Sequence, residues 1–248
     1  MAGAVPSSGD LVQDQVLAEA DWTDADLSEA TFVGCAIERP QLSGVNLSGA
    51  RFQRCRLPGW RLSHADLREA SFEECTFSEP QTRSGLAAVF SNLEAARFRR
   101  CDLSLGLFDR SSLYDVEMLD CNLRGARFPK TDFSKSFGRS VVRASAVFRD
   151  CTLELADLSG AKLAGCALVR CDLREADFGG ADLEGADLTG SNLFQAALTG
   201  ARLAGADLRG AEVSGLDLAV LASREGMKIT ADQQFRLLTA LGVDVSPD

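Results

Sequence analysis

Catalytic raw material is scarce in this chain: its 248 residues include one histidine, His64, one tyrosine, and only 7% aromatic residues in all. His64 lies in Leu62-Ser-His-Ala-Asp66, at a place where neighbouring segments carry Ser, Thr, Gly or Arg, so it reads as a solvated turn residue. Glycine-rich phosphate loops, HExxH and GxSxG are absent, which removes the commonest hydrolase and nucleotide-binding sites. No apolar run approaches the roughly 20 residues of a membrane span. Met1 to Asp10 lacks the basic start and apolar centre of a signal peptide, so a cytoplasmic protein is expected. Basic residues are outnumbered, 26 against 36 acidic, and a net charge of -10 argues against affinity for nucleic acid phosphates or anionic membranes. Short cysteine pairs of the CxxC kind are also missing, and nothing calls for a cofactor or a metal.

What the chain does contain is a period of five. From Phe148 to Leu218 every fifth residue is Leu, Phe or Val, and the residue two before is small in all but the last repeat. Five fits neither the helical 3.6 nor the plain strand 2. It requires a chain that turns a corner once per repeat, and such a repeat fixes the architecture before any other signal. A core of Leu and Ala with few rings suits a thin stacked solenoid.

The eight cysteines obey this register. Cys35, Cys55, Cys75, Cys101, Cys121, Cys151, Cys166 and Cys171 all occupy the small position, where they replace Ala and read as buried fillers. Their spacing counts the sides of the coil: Cys35, Cys55 and Cys75 are 20 apart, as are Cys101 and Cys121, and Cys151 and Cys171. Four pentapeptides per turn would stack these cysteines about 4.8 Å apart on one face. The expectation is an all-β solenoid, a right-handed quadrilateral parallel β-helix of about nine turns, with two loop excursions and a C-terminal helix.

The cysteine column also locates the excursions. Cys75 to Cys101 spans 26 residues and Cys121 to Cys151 spans 30, one turn plus six and one turn plus ten. The extra residues fall within 78–91 and 134–145; in the second window Gly138 and Arg143 stand at would-be central positions, which a packed interior does not tolerate. Pro40, Trp60 and Pro80 recur in the small position, so the first excursion leaves from a face already distorted.

Three parts are expected: an N-terminal extension, 1–15, without fixed structure; the β-helix, 16–220; and a capping and dimerisation segment, 221–248. In the last, Lys228 and Ile229 would pair on the final turn. Thr230 is a fair N-cap, Phe235, Leu238 and Leu241 lie at helical spacing, Gly242 suits the C′ position, and Val243 and Val245 alternate as a short strand. The apolar stripe serves either as a cap or as a dimer seam.

Most aspartates precede a central residue, where their bland role is to bond nearby backbone at corners. Collectively, Asp157, Asp177 and Asp217 share one face and Asp187 and Asp207 another, giving negative stripes along a rod as wide as a duplex. Enzymes concentrate perturbed groups in a pocket, whereas this chain spreads repeated ones over a surface, so it reads as a binding protein and not an enzyme. Functional residues favour loops on rigid scaffolds, which selects Gln81 and Arg83 in the first excursion and Lys135, Phe137, Arg139 and Arg143 in the second. The second is a cationic, partly apolar finger suited to a protein partner.

Ala181-Asp-Leu-Glu-Gly185 and Ala186-Asp-Leu-Thr-Gly190 resemble the motif of the pentapeptide-repeat proteins, a likeness that covers about residues 16 to 218. Cys101-Asp-Leu-Ser-Leu-Gly-Leu-Phe-Asp-Arg-Ser-Ser-Leu113 resembles the segment between the two loops of the Qnr-type quinolone-resistance proteins, and Gly226 to Val245 resembles their dimerisation tail. That resemblance implies a dimeric rod that binds bacterial type II topoisomerases, DNA gyrase and topoisomerase IV, and protects them from quinolones or natural poisons. It also implies that the acidic rod could act as a DNA mimic. The chain departs from those proteins in its extra N-terminal residues and in its loop sequences. The alternative is a pentapeptide-repeat interaction scaffold for a partner other than a topoisomerase.

Overall fold

Each repeat makes one side and one corner of a coil. At Leu158, for example, the small Ala156 points inward, Leu158 fills the centre, and Gly160 takes the left-handed conformation (φ +66°) that turns the chain. Ala161 N then donates to Leu158 O at 3.1 Å, closing the turn, and the next side begins. In the computed structural model, which describes residues 5–18, 21–79, 82–138, 141–240 and 242–244, this unit builds a right-handed quadrilateral parallel β-helix. Many corners in the first two thirds place a non-glycine residue, such as Glu29, His64 or Leu105, in the left-handed region.

The four sides stack as four parallel ladders. One is a sheet of eight strands: Leu11–Gln13, Thr31–Val33, Arg51–Gln53, Ser71–Glu73, Arg97–Arg99, Val116–Leu119, Ala146–Arg149 and Ala167–Val169. A second holds Leu42–Ser43, Arg61–Ser63, Ala87–Val89 and Leu107–Asp109. A third begins with Val16–Ala18 against Ala36–Glu38 and continues as single-residue pairs, and the fourth is a single-residue ladder through Asp26, Asn46, Asp66, Asn92, Ser112 and Asp132. The ladder spacing shows directly in the core, where Phe32, Phe52, Phe72 and Phe98 stack with centroids 4.7, 4.8 and 4.9 Å apart.

The N-terminal boundary differs from expectation. Leu11–Gln13 is already a strand paired with Thr31–Val33, and Val12 is buried, so the coil starts before residue 16. At the other end the pairing outlasts the recognisable repeat. Ala222 N donates to Ala201 O and Lys228 N to Ala206 O, so the last turn runs to Lys228.

All eight cysteines are buried, but seven are more than fillers. Along the long sheet the corner after each strand lacks the turn hydrogen bond, leaving a buried backbone N–H to satisfy. The thiols of Cys35, Cys55, Cys75, Cys101, Cys121, Cys151 and Cys171 donate to carbonyls on the coil below, as Cys151 Sγ does to Met118 O at 3.2 Å. Cys151 Sγ also accepts from Cys121 N at 3.4 Å, and Ser191 Oγ, next in the column, accepts from Cys171 N at 2.9 Å. Cys166, by contrast, sits at a corner with the turn bond (Cys166 N to Leu163 O, 3.0 Å), and burial pushes its thiol up to about 12.

Both excursions leave and rejoin at one rung. Arg61 pairs with Ala87 and Val116 with Ala146, steps of 26 and 30 residues. The first excursion is narrower than its expected window, closed by an antiparallel bridge between Glu79 and Ser84. Just beyond it the usual sizes are exchanged: Leu86 fills the small position and Ala88 the centre, both buried, so a repeat precedes Leu93. The large residue is accommodated because this face already holds Trp60, whose Nε1 donates to Ile37 O at 3.1 Å. Pro80 lies outside the described residues.

The helix Ala231–Ala240 closes the C-terminal end. Thr230 N donates to Gln233 Oε1 at 2.7 Å, one half of a capping box. Gly242 N to Thr239 O and Val243 N to Leu238 O form the paired bonds of a Schellman end, so Val243 belongs to this turn and not to a strand. Val245 lies outside the described residues. Buried Gln233 donates to Leu208 O and Ala211 O, both at 2.7 Å, covering carbonyls that the last turn would leave open. Leu237 is buried against the core.

Candidate functional site

The second excursion is a β-hairpin, Ser134–Phe137 against Val141–Ala144, a structure that the residue pattern did not disclose. Gly138 starts its turn with φ +76°. Lys135 and Arg143 face each other in register, and Phe137 pairs with Val141. Lys135 binds Glu94, and its ammonium stands 5.6 Å from the centre of the Tyr114 ring. Phe137 meets the same ring edge-on at 5.9 Å. Tyr114, the only tyrosine, is thus the platform that aims the hairpin, a role that its isolation in the sequence could have suggested. Phe137 stays 48% exposed and Val142 64% exposed, so the finger presents apolar surface beside its cations. Arg139 falls outside the described residues.

In the first excursion Arg83 is exposed, at φ +50°, and Gln81 lies outside the described residues. The excursion is anchored by Glu79, which is buried, accepts from Thr82 Oγ1 at 2.8 Å and pairs with Arg39 at 2.7 Å. The Thr82 hydroxyl and then the Arg39 guanidinium hold its carboxyl below the usual range. Among the described residues, the first excursion lies against Ser104 to Leu107 and the hairpin against Glu94 and Tyr114, and no group of side chains could hold a metal ion.

The acidic columns are real but unequal. Asp157 pairs in register with Asp177, and Asp187 with Asp207. Each carboxylate first serves its own corner: Asp157 accepts from Ser159 N (3.0 Å), Asp177 from Gly179 N (2.8 Å) and Asp187 from Thr189 N (3.0 Å). Asp157, Asp177 and Asp187 form no ion pair among the described residues, whereas Asp207 is clamped by Arg209 at 2.7 Å, which holds its carboxyl low. Asp217 leaves its expected column: it caps the short 3-10 helix Leu218–Val220 by accepting from Ala219 N. On the terminal helix Phe235 is 54% exposed and Leu238 half-buried; Leu241 lies outside the described residues.

Among the described residues, the repeating coil is interrupted by two excursions and closed by a helix that leaves Phe235 exposed. The pentapeptide-repeat signature matches it in eight copies, over residues 41–79, 91–129, 151–190 and 186–219, and the chain belongs to the pentapeptide-repeat family. Among solved structures it is similar to full-length QnrB1, a plasmid-mediated fluoroquinolone resistance protein, with 25% identity and a TM-score of 0.71 over 94% of this chain and 100% of that one. A trypsin-treated QnrB1 variant aligns with 25% identity and a TM-score of 0.66 over 96% of this chain and 99% of that one. No curated protein sequence matches the chain.

Proposed function

We propose that this protein binds bacterial type II topoisomerases, DNA gyrase and topoisomerase IV, and protects them from quinolones or natural topoisomerase poisons. The observation that carries the reading is the likeness to QnrB1 over 94% of this chain and 100% of that one. In this reading the hairpin is the protecting element, with Lys135, Phe137, Arg139 and Arg143 meeting the enzyme, assisted by Gln81 and Arg83. The stripes of Asp157, Asp177, Asp187 and Asp207, with Asp217 at their end, present the negative surface that a DNA-binding groove attracts. Phe235, Leu238 and Leu241 join two copies into a longer rod. The site of action is the cytoplasm, where the topoisomerases are.

The test is gyrase supercoiling in the presence of ciprofloxacin, and separately of non-quinolone poisons, with purified protein added. Restored supercoiling with at least one poison is expected. Inability to bind either topoisomerase or to restore activity with any poison would refute the reading.

A further inference from the structure

The root of the first excursion forms a groove of a character unlike the rest of the rod. It is lined by Arg61, Arg83 and Arg127, with Leu86, Ala87, Leu105 and Leu107 between them. The described residues of the lining itself include no acidic side chain, the nearest being Glu79 beside Arg61 and Asp157 one rung past Arg127. In a chain of net charge -10 this is a local excess of positive charge. Among the described residues none of the three guanidiniums forms an ion pair, although Arg61 also helps hold the nearby Glu79 carboxyl low. The wall is rigid: a Cβ on Gly85 would lie 2.2 Å from Ser104 O, so the excursion is pressed directly onto the coil.

Register fixes the spacing. Arg61, Ala87, Leu107 and Arg127 are successive rungs of one outward-facing column. Three steps from rung to rung separate the two end arginines, about 14 Å at the strand spacing. An extended peptide laid along the rod covers that distance in about four residues, and residues two apart on it point the same way. We infer that this groove is a docking site for an extended acidic segment of a protein partner, with the pattern carboxylate-x-apolar-x-carboxylate. Its two carboxylates sit on Arg61 and Arg127, its apolar residue rests on Leu105 and Leu107, and Arg83 closes over it. Arginine forks bind carboxylates in a bidentate manner, which favours this ligand. A nucleic acid strand fits worse, because the column turns acidic one rung beyond Arg127, at Asp157, and would repel a continuing row of phosphates. The inference goes beyond the topoisomerase reading and does not depend on it.

The test uses the full chain and a fluorescein-labelled peptide, Gly-Glu-Thr-Leu-Thr-Glu-Gly, followed by anisotropy. Saturable, salt-sensitive binding is expected, weakened at least about tenfold by Arg61→Glu or Arg127→Glu. A peptide with its carboxylates three residues apart should bind about tenfold more weakly, since the second would point away. Circular dichroism checks that the variants keep the fold, and Arg127→Gln gives a milder second change. Absence of saturable binding up to about 1 mM would overturn the proposal. So would equal binding by variants or by the respaced peptide, or binding of oligo-dT in the groove in place of the peptide.

Discussion

Removing residues 135–144 joins Ser134 to Ser145 and takes away the hairpin in one step. The ends already meet, because Ser145 N donates to Phe133 O at 3.0 Å and Ser145 O accepts from Asp115 N at 2.6 Å. Ten residues is the excess of the 30-residue step over a 20-residue turn, so every column keeps its register. The deletion loses the exposed Lys135–Glu94 pair, worth about 0–1 kcal/mol, and the Phe137–Tyr114 contact, worth about 0.5–1.5 kcal/mol. Against this stands the entropy of closing a ten-residue loop, about 2 kcal/mol. These nearly cancel, so the shortened protein should melt within about 4 °C of the parent. Gyrase binding should remain measurable while rescue from ciprofloxacin disappears. A folded deletion variant that protects fully would place protection on the acidic columns instead, and a large fall in melting temperature would show that the hairpin supports the coil.

The thiol column predicts that Cys151→Ser is more stable than Cys151→Ala by about 1–3 kcal/mol in urea denaturation, because alanine leaves Cys121 N–H buried and unpaired; equal stability would return Cys151 to a plain filler. Thiol labelling should be slow in the native protein and fast in urea, with rapid native labelling contradicting burial of the cysteines. Phe235→Asp should give monomers by light scattering with fold stability changed by about 0.5 kcal/mol or less, since the ring is 54% exposed in one chain; a persistent dimer would move the seam elsewhere. Ser214 and then Arg236 lower the Glu212 carboxyl from 4.5 to about 2, so its tie to the terminal helix is complete above about pH 4.5 and lost as pH falls toward 2. Glu212→Gln should abolish that pH dependence of the helical dichroism signal, and an unchanged profile would dismiss the tie.

Much of the coil was legible because the constraint repeats: a misplaced Leu or Ala would break the stack, so the period, the excess lengths of six and ten and the burial of the cysteines could be counted. Features that occur once were not. The exchange of Leu86 and Ala88 hides a repeat, because a large residue over Trp60 compensates a small centre. The hydrogen bonds of the thiols depend on which corners lack a turn bond, and composition does not distinguish Cys166 from Cys171. The excursions were located by length, but the hairpin pairing, the Tyr114 platform and the Glu79 anchor all arise from tertiary contacts. Asp217 was misplaced because its column dissolves where the 3-10 helix begins.

Because each excursion departs from and returns to a single rung, the coil and its loops inherit change under different rules. A length change within the coil is silent only in whole turns of 20 residues, since one to three extra repeats move every later column to another face and any other remainder drives outward residues into the core. An excursion has no such quantum: six extra residues and ten are both accepted without disturbing the rungs on either side. Descent can therefore retune the recognition elements residue by residue while the distance between them along the axis changes only in discrete steps of about 4.8 Å.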